Sequence, residues 1–129
     1  EHPEPAPLTA PVLGTSFRVR EYDVGPDRDW KAFCSPNRQV LDAAAVRFPL
    51  MVRTRQRGDR LRPLGSSGTR KLQDIFSDLK LTPHERSRQL VIVSGRDIVW
   101  VVGRVVATEY AVGPETKRII EIEVSDETE

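Results

Sequence analysis

A hairpin with two strongly apolar arms places the strongest constraint on the fold of this chain. The arms are "QLVIV" (residues 89–93) and "IVWVVG" (residues 98–103), and the residues between them, "SGRD", are typical of a tight turn. Because neither arm alternates with polar residues, both strands are predicted to be buried. Trp100, inside the second arm, is then interpreted as a core residue or as a semi-exposed wall.

Other segments alternate in the manner of a strand with one buried face. "SFRVREY" places Phe17 and Val19 on one side, and "KRIIEIEV" places Ile120 and Ile122 against glutamates. "RVVATEYAV" is interpreted as a further strand. The segment "NRQVLDAAAVRF" is ambiguous, since its Val-Leu pair favours a short strand and its Ala run a short helix.

The segment "PLMVRTRQR" (residues 49–57) predicts a strand with an arginine-rich face. Pro49 stands at its start, where the missing N–H does least harm, and Leu50 and Val52 share the apolar face. The opposite face would carry arginines at every second position, about 6.6 Å apart, and these repel one another unless an anion is present; the alternative interpretation is a solvated strand face. The three arginines are Arg53, Arg55 and Arg57.

Two short helices are predicted after this strand. In "TRKLQDIFSDLK" an apolar stripe at i, i+3, i+4 and i+7 indicates a helix with Thr69 as its cap. Arg70 and Lys71 would then lie in the first turn, where a bound phosphate would compensate their unfavourable position in the helix dipole. In "LTPHERSRQ" Thr82 and Glu85 form a capping box around Pro83.

Positive charge is concentrated in the middle of the chain, although the net charge is only +1. Residues 47–88 hold eleven Lys and Arg against four acids, whereas residues 1–46 and 89–129 carry net charges of −2 and −4. A basic centre between acidic flanks is the electrostatic pattern of a protein that binds a polyanion.

The glycine-containing stretch "RGDRLRPLGSSGTRK" lies in this basic centre. Gly58-Asp59 is interpreted as a turn rather than as part of an adhesion motif. The loop from Gly65 to Gly68 is compatible with a plain turn, and it matches neither a Walker A loop nor the helix–loop–helix setting of a KH clamp. The functional interpretation is a backbone-amide cradle for phosphate at a helix start, surrounded by Arg60, Arg62, Arg70 and Lys71.

The residues contain no recognisable catalytic constellation. Cys34 is the single cysteine, so no internal disulfide can form, and it is interpreted as a buried apolar side chain. His2 and His84 lack metal-ligand spacing. We therefore expect no catalytic residue and no metal site.

The length of 129 residues suits one domain. No apolar run is long enough to cross a membrane, and a single cysteine fits a reducing compartment, so we expect a cytoplasmic protein without membrane contact. The chain begins with Glu1 rather than methionine, and from this we expect a piece of a longer protein whose active centre lies elsewhere.

The central and C-terminal motifs, taken in order, resemble a known family. "VRTRQRGDRLRPLGSSGTRKLQDIFSDLKLTPHERSR" followed by "IVWVVGRVVATEYAVGPETKRIIEIEV" is similar to the C-terminal region of bacterial tRNA(Ile)-lysidine synthetase. The shared pattern includes an R-x-R strand, G-D-R, R-P-x-G, the short helix, E-R-x-R, I-V-W-V-x-G and a closing T-K-R. The resemblance covers residues 37–124, and less closely residues 12–36.

The resemblance implies both a fold and a function. The fold would be an α+β, sandwich-like arrangement, similar to a domain of the phenylalanyl-tRNA synthetase beta subunit. The parent enzyme would use ATP and lysine to convert the wobble cytidine of a CAU-anticodon tRNA(Ile) to lysidine. That chemistry belongs to an N-terminal domain whose motif "SGGxDS" is absent from this sequence. This chain would be the accessory, non-catalytic domain, without a cofactor of its own, that binds the tRNA body and acceptor stem.

The predicted division of the chain has four parts: residues 1–11 as a proline-rich arm, 12–46 as a lead-in segment, 47–124 as the tRNA-binding core and 125–129 as an acidic tail. The predicted partners are the tRNA and the catalytic domain of the same parent chain. An alternative function is a structural domain that packs on a catalytic domain or subunit. The predicted tRNA-binding residues are Arg53, Arg55, Arg57, Arg60, Arg62, Gly65, Gly68, Arg70 and Lys71.

Overall fold

The computed structural model describes residues 8–9, 15–23 and 34–126. Within these residues the chain forms β-strands, two α-helices and one 3-10 helix. In chain order the elements are β1 (Leu8–Thr9), β2 (Thr15–Asp23), β3 (Arg38–Asp42), β4 (Leu50–Thr54), β5 (Arg60–Leu61), β6 (Arg70–Lys71), α1 (Leu72–Asp78), α2 (Pro83–Arg88), β7 (Leu90–Ser94), β8 (Asp97–Val101), β9 (Val105–Val106), the 3-10 helix (Thr108–Tyr110) and β10 (Arg118–Asp126).

The strands form two larger sheets and one small ribbon. β1, β4, β7, β8 and β9 lie side by side in this order, with β1 parallel to β4 and the other neighbours antiparallel. β10 lies between β2 and β3 in an antiparallel three-stranded sheet, and β5 pairs with β6. The predicted α+β fold with a mixed sheet and two short helices is confirmed.

The hairpin predicted from the apolar arms forms the centre of the five-stranded sheet. β7 and β8 pair around a turn in which Gly95 adopts a positive φ of 61°, and a register shift lies between Ile92 and Val93. Four of the five residues in each strand are buried. Trp100 is 1% exposed, so its interpretation as a core residue is confirmed.

One hydrophobic core joins both larger sheets to α1. Its cluster of buried side chains includes Leu41 and Ile122 from the three-stranded sheet, Val52 and Ile92 from the five-stranded sheet, and Phe76 from α1. The strands β2 and β3, which lie within residues 12–46, therefore supply part of the core. Away from the core, the three-stranded sheet carries ion pairs, such as Arg118 with Glu21 and Asp23 at 3.1 and 3.2 Å.

The two helices differ in how well the sequence predicts them. The α2 capping box is confirmed, since the Thr82 side chain accepts from the Glu85 amide and the Glu85 side chain accepts from the Thr82 amide. The predicted cap of α1 is wrong, because that helix begins at Leu72 after an extended Lys71 with no side-chain cap. No helix in the described part of the chain has the length and apolarity that crossing a bilayer requires.

Shorter predictions also change. The Ala run after β3 forms a turn rather than a helix, while Val40 and Leu41 do lie in β3. The strand predicted at residues 104–112 is limited to β9, because the 3-10 helix follows. At the C-terminus, β10 extends to Asp126.

Candidate nucleic-acid interface

The arginine row predicted along β4 is not formed as a strand face. β4 ends at Thr54, so Arg55 and Arg57 lie in the segment that leads to β5, and both are exposed. The strand ends there because the chain turns back at Gly58, which has a φ of 88°, and the Asp59 amide donates to the Gln56 carbonyl at 3.2 Å. The interpretation of Gly58-Asp59 as a turn is confirmed.

Arg53 is bound to the same turn. Its two terminal nitrogens contact the two carboxylate oxygens of Asp59 at 2.9 and 3.1 Å, and one of them also donates to the Thr54 carbonyl at 2.9 Å. The Arg53 and Asp59 side chains are only 14% and 11% exposed. This geometry favours a structural role for Arg53 over the predicted contact with RNA, which no contact among the described residues tests.

The small β5–β6 ribbon places two cations directly opposite each other. Arg60 pairs in register with Lys71, so their side chains share one face of the ribbon, and both are exposed. Opposed residues in an antiparallel pair have Cβ atoms about 5 Å apart, and like charges at this spacing are destabilising. Among the described residues neither cation forms an ion pair with a carboxylate. An anion bound between them would relieve the repulsion.

Arg70 lies on the other face of the ribbon, opposite Leu61. It forms a 2.6 Å ion pair with Asp78 at the end of α1. Both side chains are well exposed, at 40% and 64%, and exposed ion pairs contribute little to stability. Arg70 can therefore exchange Asp78 for an external anion at low cost.

The glycine loop is a closed turn rather than an amide cradle at a helix start. Gly65 needs its glycine because its φ is 86°, whereas a Cβ at Gly68 would meet nothing within 4 Å. The Ser66 amide donates to the Pro63 carbonyl at 2.9 Å, and the Gly68 amide donates to the Ser66 hydroxyl at 3.3 Å. Since α1 begins only at Leu72, these amides do not belong to a helix terminus.

A cleft of about 840 Å³ lies beside the ribbon, and four arginines line it. We call it the arginine cleft. Its acidic lining residues are Asp97 and Glu109, so the charged groups sum to a surplus of two positive charges. Glu109 is 3.8 Å from Arg62, and both are about half exposed, which makes this a weak contact. The four arginines are Arg47, Arg60, Arg62 and Arg96.

Two of these arginines, Arg47 and Arg96, are absent from the predicted set. Arg96 lies in the β7–β8 turn, and Arg47 is held beside that turn by the buried Ser94. The Ser94 hydroxyl accepts from the Arg47 amide at 2.6 Å and donates to the Arg47 carbonyl at 2.8 Å. The turn motif "SGRD" marks Arg96 as an exposed cation, but the sequence contains no signal that brings Arg47 next to it.

The wall of the cleft that carries Arg60 and Arg62 is held by hydrogen bonds to residues 106–108. The Thr108 amide donates to the Arg62 carbonyl at 2.8 Å, and the Leu64 amide donates to the Val106 carbonyl at 2.9 Å. The Thr108 hydroxyl also donates to the Pro63 carbonyl at 2.8 Å. Arg60 and Arg62 are thus presented by a segment attached to the five-stranded sheet, which reduces the entropy lost when they bind a ligand.

Tyr110 completes the cleft as a neutral group. Burial and a hydrogen bond to Asp97, 2.7 Å from hydroxyl to carboxylate oxygen, raise the pKa of Tyr110 to about 12. The phenol therefore stays protonated at neutral pH and occupies one oxygen of Asp97. This leaves the arginines as the dominant charges that a ligand would meet.

The chemistry of these groups is that of binding. Guanidinium groups match phosphate oxygens in a bidentate geometry and stay charged at all physiological pH values. Among the described residues no group of three His, Cys, Asp or Glu side chains could hold a metal ion. Cys34 is half-buried, and its sulfur accepts a hydrogen bond of 3.5 Å from the side-chain nitrogen of Gln39.

Comparisons with known proteins give a consistent result. The family model described as "TilS substrate C-terminal domain" matches residues 50–123. Proteins named tRNA(Ile)-lysidine synthase are similar to the chain: that of Caldanaerobacter subterraneus subsp. tengcongensis is 35% identical over 69% of the chain and 19% of its own length. That of Bacillus subtilis is 39% identical over 70% of this chain and 18% of its own length. The chain thus spans about a fifth of these relatives, as the 19% and 18% shares show.

Solved structures show the same likeness. A crystal structure of a "TILS C-terminal domain" matches with a TM-score of 0.71 and 29% identity, over 98% of this chain and 96% of that one. An N-terminal fragment of the phenylalanyl-tRNA synthetase beta subunit from Pyrococcus horikoshii matches with a TM-score of 0.56 and 12% identity, over 70% of this chain and 28% of that fragment. The second match concerns the fold alone, which agrees with the fold predicted from the sequence.

Proposed function

The chain belongs to the TilS substrate C-terminal domain family, and from this premise we propose that it binds the body and acceptor stem of a tRNA(Ile) with a CAU anticodon. The relatives are named for an activity on tRNA(Ile), and this chain corresponds to about a fifth of their length, as the 19% share shows. The separate catalytic domain of the parent chain would convert the wobble cytidine to lysidine with ATP and lysine in the cytoplasm.

The observation that supports the proposal most strongly is a pair of opposed cations that form no ion pair among the described residues. Arg60 and Lys71 oppose each other on the ribbon, and Arg60 also lines the arginine cleft. Like charges at this distance are destabilising in the free protein, and a bound ligand that neutralises them would relieve the repulsion. A phosphate backbone supplies negative charges in a row, which a single carboxylate does not.

The contacts would position the RNA rather than read its sequence. An acceptor stem is A-form RNA, whose deep and narrow major groove excludes side chains, so phosphate and 2′-hydroxyl contacts dominate. The proposed phosphate contacts are Arg47, Arg55, Arg57, Arg60, Arg62, Arg70, Lys71 and Arg96. The exposed loop from Gly65 to Gly68 adds a surface without bulky side chains beside them.

This division of labour makes the chain non-catalytic by itself. The parent enzyme would need the domain to hold the tRNA in a fixed register, so that the anticodon reaches the catalytic site. An ATP- and lysine-dependent assay on this chain alone should therefore show no lysidine formation. The same assay on the complete parent enzyme should lose activity at low tRNA concentration when the cleft arginines are replaced.

The test is a fluorescence anisotropy titration with labelled CAU-anticodon tRNA(Ile) at several salt concentrations. The variant Arg60→Gln/Lys71→Gln should bind more weakly and reduce the slope of log K against log salt by about one to two units. A control with one paired arginine of the three-stranded sheet replaced, Arg118→Gln, should keep the wild-type slope. Equal slopes for the double variant and the wild type would refute the proposal.

A comparison with elongator tRNA(Met) distinguishes electrostatic binding of any tRNA from specific recognition of tRNA(Ile). If phosphate contacts only position the RNA, both tRNAs should show similar salt slopes with this chain. Binding of an acidic protein fragment without any binding of RNA would instead favour the alternative function, a structural interaction domain.

A further inference from the structure

We propose that the chain carries a second phosphate site at the other end of the β7–β8 hairpin, formed by Arg88 and Arg104. The inference rests on the proposed function, because it assigns the second site to the same RNA. The site lies outside the arginine cleft and shares no lining residue with it. We call it the distal site.

The distal site is an open hollow of about 340 Å³ between α2 and the β8–β9 turn. Arg88, the last residue of α2, and Arg104, in the turn, lie on its rim. Leu90 and Val102 provide a half-buried apolar floor. The hollow thus combines two guanidinium groups with a surface on which a ribose can pack.

Gln89 fixes the orientation of Arg104. Its side-chain nitrogen donates to the Leu90 carbonyl at 3.0 Å and to the Val102 carbonyl at 2.9 Å, so the amide bridges the ends of the two strands. Its oxygen accepts from Nε of Arg104 at 3.1 Å. Within the described residues the two terminal nitrogens of Arg104 have no acceptor. The guanidinium group is therefore oriented in advance and can donate hydrogen bonds from both of these nitrogens to a ligand.

Glu85 also lines the hollow, and its carboxylate is engaged in the cap of α2 while its charge still acts on Arg104. The Glu85 carboxylate accepts from the Thr82 amide at 2.8 Å, and this hydrogen bond holds the pKa of Glu85 below its ordinary value. Arg86 donates to the Leu81 carbonyl and to the Ser77 hydroxyl, both at 3.1 Å. Of the two arginines in the last turn of α2, Arg86 therefore serves the fold.

Arg88 has no such role. It is exposed, and among the described residues it forms no ion pair. α2 as a whole buries no residue, so its exposed surface does not serve the core. A helix that buries no side chain and ends in an arginine without an ion pair among the described residues, beside a pre-oriented arginine, is an arrangement suited to an external anion.

The distance between the two sites favours an extended polyanion. β7 and β8 are five residues long, and Arg96 and Arg104 lie beyond opposite ends of β8. Five residues at 3.3 Å each give a separation of about 17 Å. This separation is too large for one small anion to contact both sites, whereas one RNA can contact both.

The experiment measures binding of labelled CAU-anticodon tRNA(Ile) by the wild-type chain, by Arg88→Gln/Arg104→Gln and by a control matched in charge, Arg18→Gln/Arg118→Gln. We expect the distal variant to bind about tenfold more weakly and to lower the salt slope by one to two units, while the control changes neither. Gln89→Ala should give a smaller loss, because it leaves Arg104 present but no longer oriented. Circular dichroism and urea midpoints verify that each variant is folded.

The possible results separate this inference from the proposed function. A distal variant with the slope of the control, combined with a reduced slope for Arg60→Gln/Lys71→Gln, would overturn the distal site and leave the proposed function intact. Absence of salt-dependent RNA binding by the wild type would overturn both. Unchanged RNA binding with lost association to the separately expressed catalytic part would make the distal site a protein interface and overturn its assignment to RNA.

Discussion

Replacing Arg53 with methionine should destabilise the fold and leave RNA binding intact. Methionine keeps much of the aliphatic bulk but removes the two contacts to Asp59 at 2.9 and 3.1 Å and the hydrogen bond to the Thr54 carbonyl. The carboxylate of Asp59 is then left 11% exposed without its countercharge.

The magnitude follows from what remains around that carboxylate. Breaking a buried ion pair by removing one partner costs about 3–5 kcal/mol. Asp59 keeps the hydrogen bond from the Gln56 amide at 2.7 Å, which offsets part of the loss. We therefore expect a loss of roughly 1–3 kcal/mol, since a hydrogen bond to a charged group contributes about 1.5–3 kcal/mol. For a domain of this size, that lowers Tm by about 3–15 °C.

Urea unfolding followed by circular dichroism measures the change in the free energy of unfolding. Arg55→Met is the matched control, because Arg55 is exposed and unpaired among the described residues, and it should change stability by less than about 0.5 kcal/mol. The double variant Arg53→Met/Asp59→Asn removes the orphaned charge and should recover part of the loss. Wild-type stability of Arg53→Met together with a reduced salt slope would refute this reasoning and assign Arg53 to the RNA.

Three further predictions concern the loop and the cleft. Lys71→Ala should weaken tRNA binding and lower the salt slope by about one unit; an unchanged slope would argue against a phosphate contact there. Gly65→Ala should lower the free energy of unfolding by about 1 kcal/mol because of the positive φ of 86°. Gly68→Ala should be as stable as the wild type, and it should bind RNA more weakly only if RNA approaches that loop closely. Unfolding and binding curves measured in parallel distinguish these two effects. Since the pKa of Tyr110 is raised to about 12, its contribution to stability should be complete below pH 10 and decline between pH 10 and 12, a decline absent in Tyr110→Phe.

Elements with a complete local signal could be predicted from the sequence. The β7–β8 hairpin, the amphipathic β10 and the α2 capping box each depend on residues close in the chain, and the structure contains all three. Hydrophobic periodicity and cap chemistry act over a few residues, so they survive the tertiary context.

Element ends were harder to predict, because tertiary contacts decide them. The alternation of arginines continues to Arg57, but β4 ends at Thr54, where Arg53 and Asp59 close the turn. Thr69 has the right chemistry for a cap, yet residues 70–71 pair with β5, and the Leu72 amide donates to the Asp59 carbonyl at 2.9 Å. A strand pairing thus overrides the local preference for a longer helix.

The candidate site was predicted only in part. Arg60, Arg62 and Lys71 lie close in sequence, and the structure places Arg60 opposite Lys71 on the ribbon and together with Arg62 in the lining of the arginine cleft. The arginine cleft also needs Arg47, which reaches it through the contacts of the buried Ser94. The sequence shows Ser94 only as part of a turn motif. Its hydrogen bonds to the backbone of Arg47, 47 residues away in the chain, form only when the protein folds.

The central claim is that the cations around the arginine cleft bind the phosphates of a tRNA. The most direct test is the salt dependence of tRNA(Ile) binding by a variant in which the four cleft residues Arg47, Arg60, Arg62 and Arg96 are replaced by glutamine. With a slope of roughly 0.7–0.9 per phosphate contact, the slope should fall by about three units relative to the wild type. A folded variant that binds tRNA(Ile) with the wild-type affinity and slope would contradict the claim.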